Sequence, residues 1–462
     1  MSLLSTTFGE VEECYNNWCK FNTGSLFDCA TGYFVQGYDG KMYLNGGLGC
    51  QINSFVGRNG HFKSSLSLGL STRARAIYKT SQLILDTENS ADQDRDRVEE
   101  MSEELQDRLE TAEPIWLPGG NVYYLEKFDA YILDHCNRKK AAEKDLIIET
   151  PFINPKTNKR LRVMLPTIVD IDSFTEMVCK EEINRSTDGK KEGAAPLEDA
   201  AIKTIYMINA NKKTMWTQIM RRRAEEYGLI LVMTGHYDEK MQVDQWHPNV
   251  KETMFGKQNW VVKGVGTKFK FLSSLYARTE AVVLQDSSDG AMYNDGGYTY
   301  AKDIFQVDVN IDRCKTAVSG TTTPFVCAQK DGLLNAVTNY HYIKLDDFWG
   351  CTSNNKVRQQ LQLLPDKTLS RNTVREIARS SQEVRRALEI TAQLCYIKKN
   401  WTPSAIGYDL KQDPKKIFDF LMSDKNKTLR DDVLASRGWW SPYEEEQPYM
   451  SVVDIVELIN KG

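Results

Sequence analysis

At 462 residues the chain is long enough for one large domain, or two ordinary ones, around a sizeable core. Its 59 basic and 63 acidic side chains leave a formal charge of -4, which excludes a uniformly basic nucleic-acid-binding surface and confines any such contact to local patches. Ten cysteines without a CxxC pair and only five histidines argue against a disulfide or zinc scaffold; with no signal peptide, long apolar span or lipidation motif, a soluble cytoplasmic protein without membrane attachment is expected.

From about residue 50 to 285, strand-like runs alternate with helix-like ones, the pattern of a parallel sheet with right-handed crossovers. The clearest strands are 51–56, 82–86, 167–172 and 229–234, and 65–75 reads as a helix after the first. Residues 92–113 carry ten acids and three arginines and read as a solvated helix. Asn154-Pro-Lys-Thr-Asn-Lys159 lies between extended segments, so 152–165 is expected to form a hairpin; 186–196 reads as a flexible loop. The segment 237–271 is too long for a simple connection, which marks it as functional or disordered. Residues 307–315 alternate as a strand and end in two cations, Arg313 and Lys315, on the same side. A boundary is placed near 350, at Gly350-Cys-Thr-Ser-Asn-Asn355, with an amphipathic helix over 371–394 beyond it. Arg437-Gly-Trp-Trp440 with the acids 444–446 is a candidate partner surface, although a Trp pair more often belongs to a core.

The best-defined motif is Gly46-Gly-Leu-Gly-Cys-Gln-Ile-Asn-Ser-Phe-Val-Gly57 followed by Arg58-Asn-Gly-His-Phe-Lys-Ser-Ser65. A buried strand runs into a loop where Gly57 and Gly60 permit unusual backbone angles, and a helix follows. Backbone N–H groups of Arg58, Asn59, Gly60, His61 and Phe62 and the helix N-terminus would face an anion. Lys63 would reach the terminal phosphates of ATP, and the hydroxyl of Ser64, next to Ser65, would bind Mg2+.

Together with Asn22-Thr-Gly-Ser-Leu-Phe-Asp-Cys-Ala-Thr-Gly32, this loop resembles the RecA family of DNA strand-exchange ATPases, over about residues 20–345. Phe62 stands where the usual loop has glycine, which brings the resemblance closer to the UvsX-type recombinases of T-even-like phages. The resemblance implies an α/β fold: a RecA-like P-loop ATPase core with a mainly parallel central sheet (41–350), a small N-terminal segment for subunit docking (1–40) and an α-rich C-terminal module (351–462).

It also implies roles. Glu88, in Leu85-Asp-Thr-Glu-Asn-Ser90, would polarise the attacking water as general base. Asp172, with Asp170 as the alternative, would hold magnesium through water, since Thr167-Ile-Val-Asp-Ile-Asp-Ser-Phe174 resembles the second nucleotide motif. His236 would sense the terminal phosphate and pass its state to the segment after it. That segment holds five lysines and one acid over 250–270, interleaved with Phe255, Trp260 and Phe269, which suits single-stranded DNA. Its candidate contacts are Lys257, Trp260, Lys263, Gly264, Gly266 and Lys268, with Lys212 and Lys213 near the family's first DNA loop. Arg313 and Lys315 would act in trans on the nucleotide of a neighbouring subunit.

The function implied is a DNA-dependent ATPase that forms helical filaments on single-stranded DNA and catalyses pairing and strand exchange with double-stranded DNA, alongside single-strand-binding and loading proteins, in the cytoplasm of a bacterial or phage-infected cell. A ring helicase motor and a non-hydrolysing accessory protein are the alternatives.

Overall fold

The computed structural model describes residues 18–88, 101–111, 113–118, 123–154, 157–183, 199–239, 252–253, 256–257, 260–266, 268–285, 290–293, 300–352, 357–401, 414–423 and 425–461. At its centre lies a ten-stranded, mostly parallel sheet. In chain order its strands are β1 (Ile52–Gly57), β2 (Ser81–Asp86), β3 (Ile115–Pro118), β4 (Thr167–Asp172), β5 (Leu229–Glu239), β6 (Trp260–Val262), β7 (Leu275–Val283), β8 (Ile304–Cys314), β9 (Thr321–Ala328) and β10 (Gly332–Leu333). The order β7-β1-β5-β4-β2-β3 is parallel throughout. Strands β8, β9 and β10 extend the sheet antiparallel beyond β7, and β6 folds back antiparallel on the far end of β5.

Helices cover both faces, which is why β1 and β4 are buried almost throughout rather than on alternate residues. Successive residues go to opposite faces. Ile168 and Ile230 pack with Leu66, Leu70 and Ile77 of α2 (Lys63–Tyr78; α1 is Leu26–Thr31). Val169 and Leu231 pack with Phe128 of α3 (Leu125–Ala141) and Trp216 of α4 (Asp199–Tyr227). The polar residues in β1 are satisfied internally: Asn53 Nδ2 donates to the Gly49 carbonyl at 3.0 Å, and the Ser54 and Ser273 hydroxyls meet at 2.8 Å.

The Thr23-Gly-Ser-Leu26 turn caps α1. Ser25 Oγ accepts from the Phe27 amide at 3.3 Å, and Asp28 Oδ1 accepts from the Thr23 amide and hydroxyl at 2.8 Å each. Burial pushes the Asp28 carboxyl up to about 6 against those hydrogen bonds. The turn is closed by the far end of the chain. Trp440 is 1% exposed, packs on Phe21, Tyr78 and Phe152, and donates its amide to Asn22 Oδ1 at 3.2 Å. Arg437-Gly-Trp-Trp440 is therefore core here, not a partner surface.

The hairpin expected at 152–165 is present and starts earlier, with Ile147–Ile153 paired to Arg160–Met164. Of the acidic helix expected at 92–113, the described part is Glu103–Thr111; it is not wholly solvated, because Leu105 is buried and Arg108 pairs with Glu104 and Glu445. The helix expected at 371–394 is two, Val374–Ser380 and α6 (Gln382–Asn400; α5 is Asn335–Leu345), divided where Ser381 caps the second. The boundary expected near 350 is no break in packing: Leu388 and Val453 share one hydrophobic core with Leu26, Leu334 and Tyr340. Residues 1–17 of the expected docking segment at 1–40, and the loop expected at 186–196, lie outside the described residues. No helix among the described residues is long and apolar enough to cross a membrane.

Candidate functional site

The carboxyl ends of β1, β2, β4 and β5 converge on a cavity of about 960 Å³, where ligands of open α/β sheets sit. Asn59, Gly60, Phe62, Lys63, Ser64 and Ser65 from the loop after β1 line it, with Glu88 beyond β2 and His236 on β5. Gly57, Arg58 and His61 support the loop instead. A Cβ on Gly57 would lie 2.4 Å from Thr279 Oγ1, so β7 can approach only a glycine. The Arg58 guanidinium lies 6.0 Å from the Tyr237 ring, and His61 Nδ1 accepts from the Ala281 amide at 3.3 Å.

Phe62, the departure from the usual loop, occupies the left-handed backbone region at φ 53°, immediately before α2. A residue with a Cβ is strained there by about 1–2 kcal/mol. Its ring packs against Phe305 of β8 with centroids 4.5 Å apart, a contact that offsets part of that cost.

Lys63 begins α2 and is 6% exposed. Burial lowers its ammonium below the ordinary lysine range, against the pull of Asp172, Glu88 and Glu176. Ser64 Oγ donates to Asp172 Oδ1 at 2.9 Å, and Thr234 Oγ1 donates to the same oxygen. Burial raises the Asp172 carboxyl, opposed by those two hydrogen bonds. Asp170 lies deeper: its oxygens accept from Ser71 Oγ at 2.7 Å and Gln82 Nε2 at 2.8 Å, and burial pushes it up to about 7. Of the two aspartates, only Asp172 meets Ser64. A hydroxyl and a carboxylate side by side are hard oxygen donors that suit Mg2+, which retains water and needs few protein ligands; no cluster of three or more His, Cys, Asp or Glu with metal-ligand geometry occurs among the described residues.

Glu88 Oε1 and His236 Nε2 are 2.7 Å apart. Burial alone would raise the Glu88 carboxyl, but hydrogen bonds from His236 and Ser173 and the charges of His236 and Lys63 leave it below its ordinary value. An ionised carboxylate with an oriented proton donor can act as a general base. His236 Nδ1 is buried without a hydrogen-bond partner among the described residues. The ends of β2 and β4 are tied together, since the Thr87 amide donates to the Asp172 carbonyl at 2.7 Å and the Ser173 amide to Thr87 Oγ1 at 2.8 Å.

The candidate DNA contacts separate. Lys213 is 3% exposed, its Nζ donates to the Thr175 carbonyl at 2.7 Å, and burial pushes it down to about 8. The expected DNA contact at Lys213 is thus corrected to an interior hydrogen bond. Lys212 bridges Glu126 and Glu181. Phe269, expected among the stacking rings, is instead core: it is 3% exposed and stacks on Phe174 at 5.6 Å. Lys268 is exposed, and Lys263 is exposed on the wall of the large cavity. Gly264 and Gly266 allow close packing: a Cβ at Gly266 would lie 2.3 Å from Thr214 Oγ1 on α4. Lys257 and Trp260 fall on strand backbone, but their side chains, like all of Phe255, lie outside the described residues. The described residues of the segment 237–271 carry regular structure: β5 continues to Glu239, pairs with β6, and a helical turn spans Phe269–Leu272.

Arg313 and Lys315 lie at the opposite end of the sheet. Cys314 between them is level with Leu275 and so with Asn53, roughly 13 Å along the strand below Gly57. They do not belong to the cavity of their own chain. Sequence reasoning missed Thr234, Glu176, Phe305 and Gln329. Thr234 stands two residues before His236, so shared-face spacing could have found it; Phe305 and Gln329 come from the antiparallel extension and carry no local signal. The chain matches no protein-family model and no curated protein.

Proposed function

We propose that this chain is a RecA-fold, UvsX-like recombinase: an ATPase stimulated by single-stranded DNA that assembles into helical filaments and promotes homologous pairing and strand exchange. The observation that carries the reading is the convergence of Lys63, Ser64, Glu88 and His236 on one cavity, with Asp172 at the end of a fourth strand bound to Ser64 behind it.

Lys63 would donate to the terminal phosphate oxygens of ATP, its low exposure strengthening that interaction. Ser64 and Asp172 would hold Mg2+, which when bound neutralises charge on the phosphate oxygens. Glu88 would orient and deprotonate the attacking water, kept ionised by His236. His236 would exchange Glu88 for a phosphate oxygen, which couples the base to the strand that enters the 240–259 segment. Arg313 and Lys315, remote from their own cavity, would complete that of a neighbouring copy.

The test is ATP hydrolysis with and without single-stranded DNA, with the same samples imaged by negative-stain electron microscopy. DNA-stimulated turnover on helical filaments is expected, and Lys63→Ala should abolish turnover while leaving the circular-dichroism spectrum unchanged. Substantial hydrolysis by Lys63→Ala would remove the phosphate-loop assignment. Closed rings would point to a helicase motor, and DNA binding without turnover to an accessory protein.

A further inference from the structure

The hairpin of β5 and β6 stands on two feet. His236 directly precedes the Tyr237–Val262 pair and Lys263 directly follows it. The Lys263 amide donates to the His236 carbonyl at 2.9 Å, and both side chains line the cavity that holds Lys63, Ser64 and Glu88. Lys263 is the one lysine or arginine besides Lys63 among the described residues that line it.

The backbone fixes that placement. Val262 and Val265 on either side pack against the core that contains Phe174 and Trp216. Gly264 between them has φ +63°, and a Cβ there would meet the Thr175 carbonyl at 2.9 Å; glycine lets the turn lie flat on Thr175. The same carbonyl accepts from Lys213 Nζ at 2.7 Å, which lies 3.5 Å from that Cβ position. A turn fastened in this way carries an exposed lysine on the cavity wall. The described wall sets the carboxylates of Glu88 and Glu176 against Lys63, so a polyanionic ligand needs further positive charge to bind there.

We propose that Lys263 is a second phosphate-binding cation of this cavity and recognises the terminal phosphate that distinguishes a nucleoside triphosphate from a diphosphate. The inference rests on the nucleotide reading of the cavity. It moves Lys263 from the DNA to the nucleotide, and it places one phosphate-facing side chain at the foot of each strand of the same hairpin. A phosphate held by His236 and Lys263 together fastens both feet, and a diphosphate leaves both unfastened.

The test titrates the full chain, Lys263→Ala and Lys263→Arg with a fluorescent ADP and a fluorescent non-hydrolysable ATP analogue. Lys263→Ala should bind the ATP analogue about tenfold more weakly, the loss expected for one charge-assisted contact, with ADP affinity unchanged. Lys263→Arg should restore most of it. A general loosening of the fold would weaken both nucleotides alike, and that result overturns the proposal, as does unchanged affinity for the ATP analogue. If Lys263→Ala keeps both nucleotide affinities but loses single-stranded DNA, the residue serves DNA alone and the proposal falls. Failure of the unaltered chain to bind either nucleotide overturns the nucleotide reading itself, which is distinct from a bound nucleotide that ignores Lys263.

Discussion

The two ends of the central sheet handle charge in opposite ways. At the carboxyl ends of β1, β2, β4 and β5, ionic side chains meet their complements within the chain: Ser64 and Thr234 on Asp172, His236 on Glu88, three carboxylates around Lys63. At the other end, like charges gather. Burial, then the charges of Arg221 and Arg313, push the Lys315 ammonium down to about 8, with Glu225 opposing. Arg313 Nη1 is held by main-chain carbonyls, those of Lys270 and Ser273 at 3.1 Å each among them. A cluster of cations at a surface favours an anion supplied from outside. The first end resembles a site built in one piece; under the proposed function the second would serve another copy.

The comparison breaks most decisively if the two ends do not need each other. Arg313→Ala with Lys315→Ala should lower DNA-stimulated ATP turnover about 10³-fold, within the range of cations supplied in trans, while nucleotide binding by isolated subunits persists. Mixing this variant with Lys63→Ala should restore turnover, because one protein then offers an intact loop and the other intact cations. Two inactive proteins that stay inactive when mixed would show that the ends do not combine.

A smaller test asks how far the loop end tolerates charge. Asp170 has a folded value of about 7 against an ordinary 3.8. Because the folded value is raised, its contribution to stability is complete below about 4 and is lost as the pH rises through about 7. Asp170→Asn should therefore gain about 2 kcal/mol relative to the unaltered chain between pH 5 and pH 8 in urea denaturation. A difference independent of pH would mean that Asp170 is already ionised at pH 5. The smallest effect concerns Phe62, where the loop end carries backbone strain. Phe62→Ala and Phe62→Gly both lose the Phe305 contact, but only glycine relieves the left-handed conformation. Phe62→Gly should be the more stable of the two by about 1 kcal/mol, and equal unfolding midpoints would place the strain elsewhere.

Much of the parallel half was legible because each strand is a local pattern that ends in a distinctive side chain. The expected strand at 167–172 is β4 residue for residue, β1 is shifted by one residue from the expected 51–56, and β2 starts one residue before the expected 82–86. Lys63, Ser64, Glu88 and His236 were readable from short motifs, and the structure brings them together. What was not legible depends on packing between distant segments. Lys213 looked like a surface cation because a lysine run gives no sign that Thr175 will cover one member of it. Nothing in the residue type of Phe269 shows that the approach of Phe174 will make it a core residue. Asp170 and Asp172 share a face by spacing, and only the depth of α2 decides that Ser71 takes one and Ser64 the other.

Trp440 has a consequence for how the protein is made. Its amide meets Asn22 across 418 positions of chain, which at 5–20 residues per second is roughly 20 to 80 s of synthesis. From the synthesis of Phe152 to the end of that interval, the apolar slot formed by Phe21, Tyr78 and Phe152 lacks its largest occupant. The nascent core thus keeps an open apolar slot until synthesis is nearly finished, and a chain ending before Trp440 should behave as an unfinished core, not as a shortened protein.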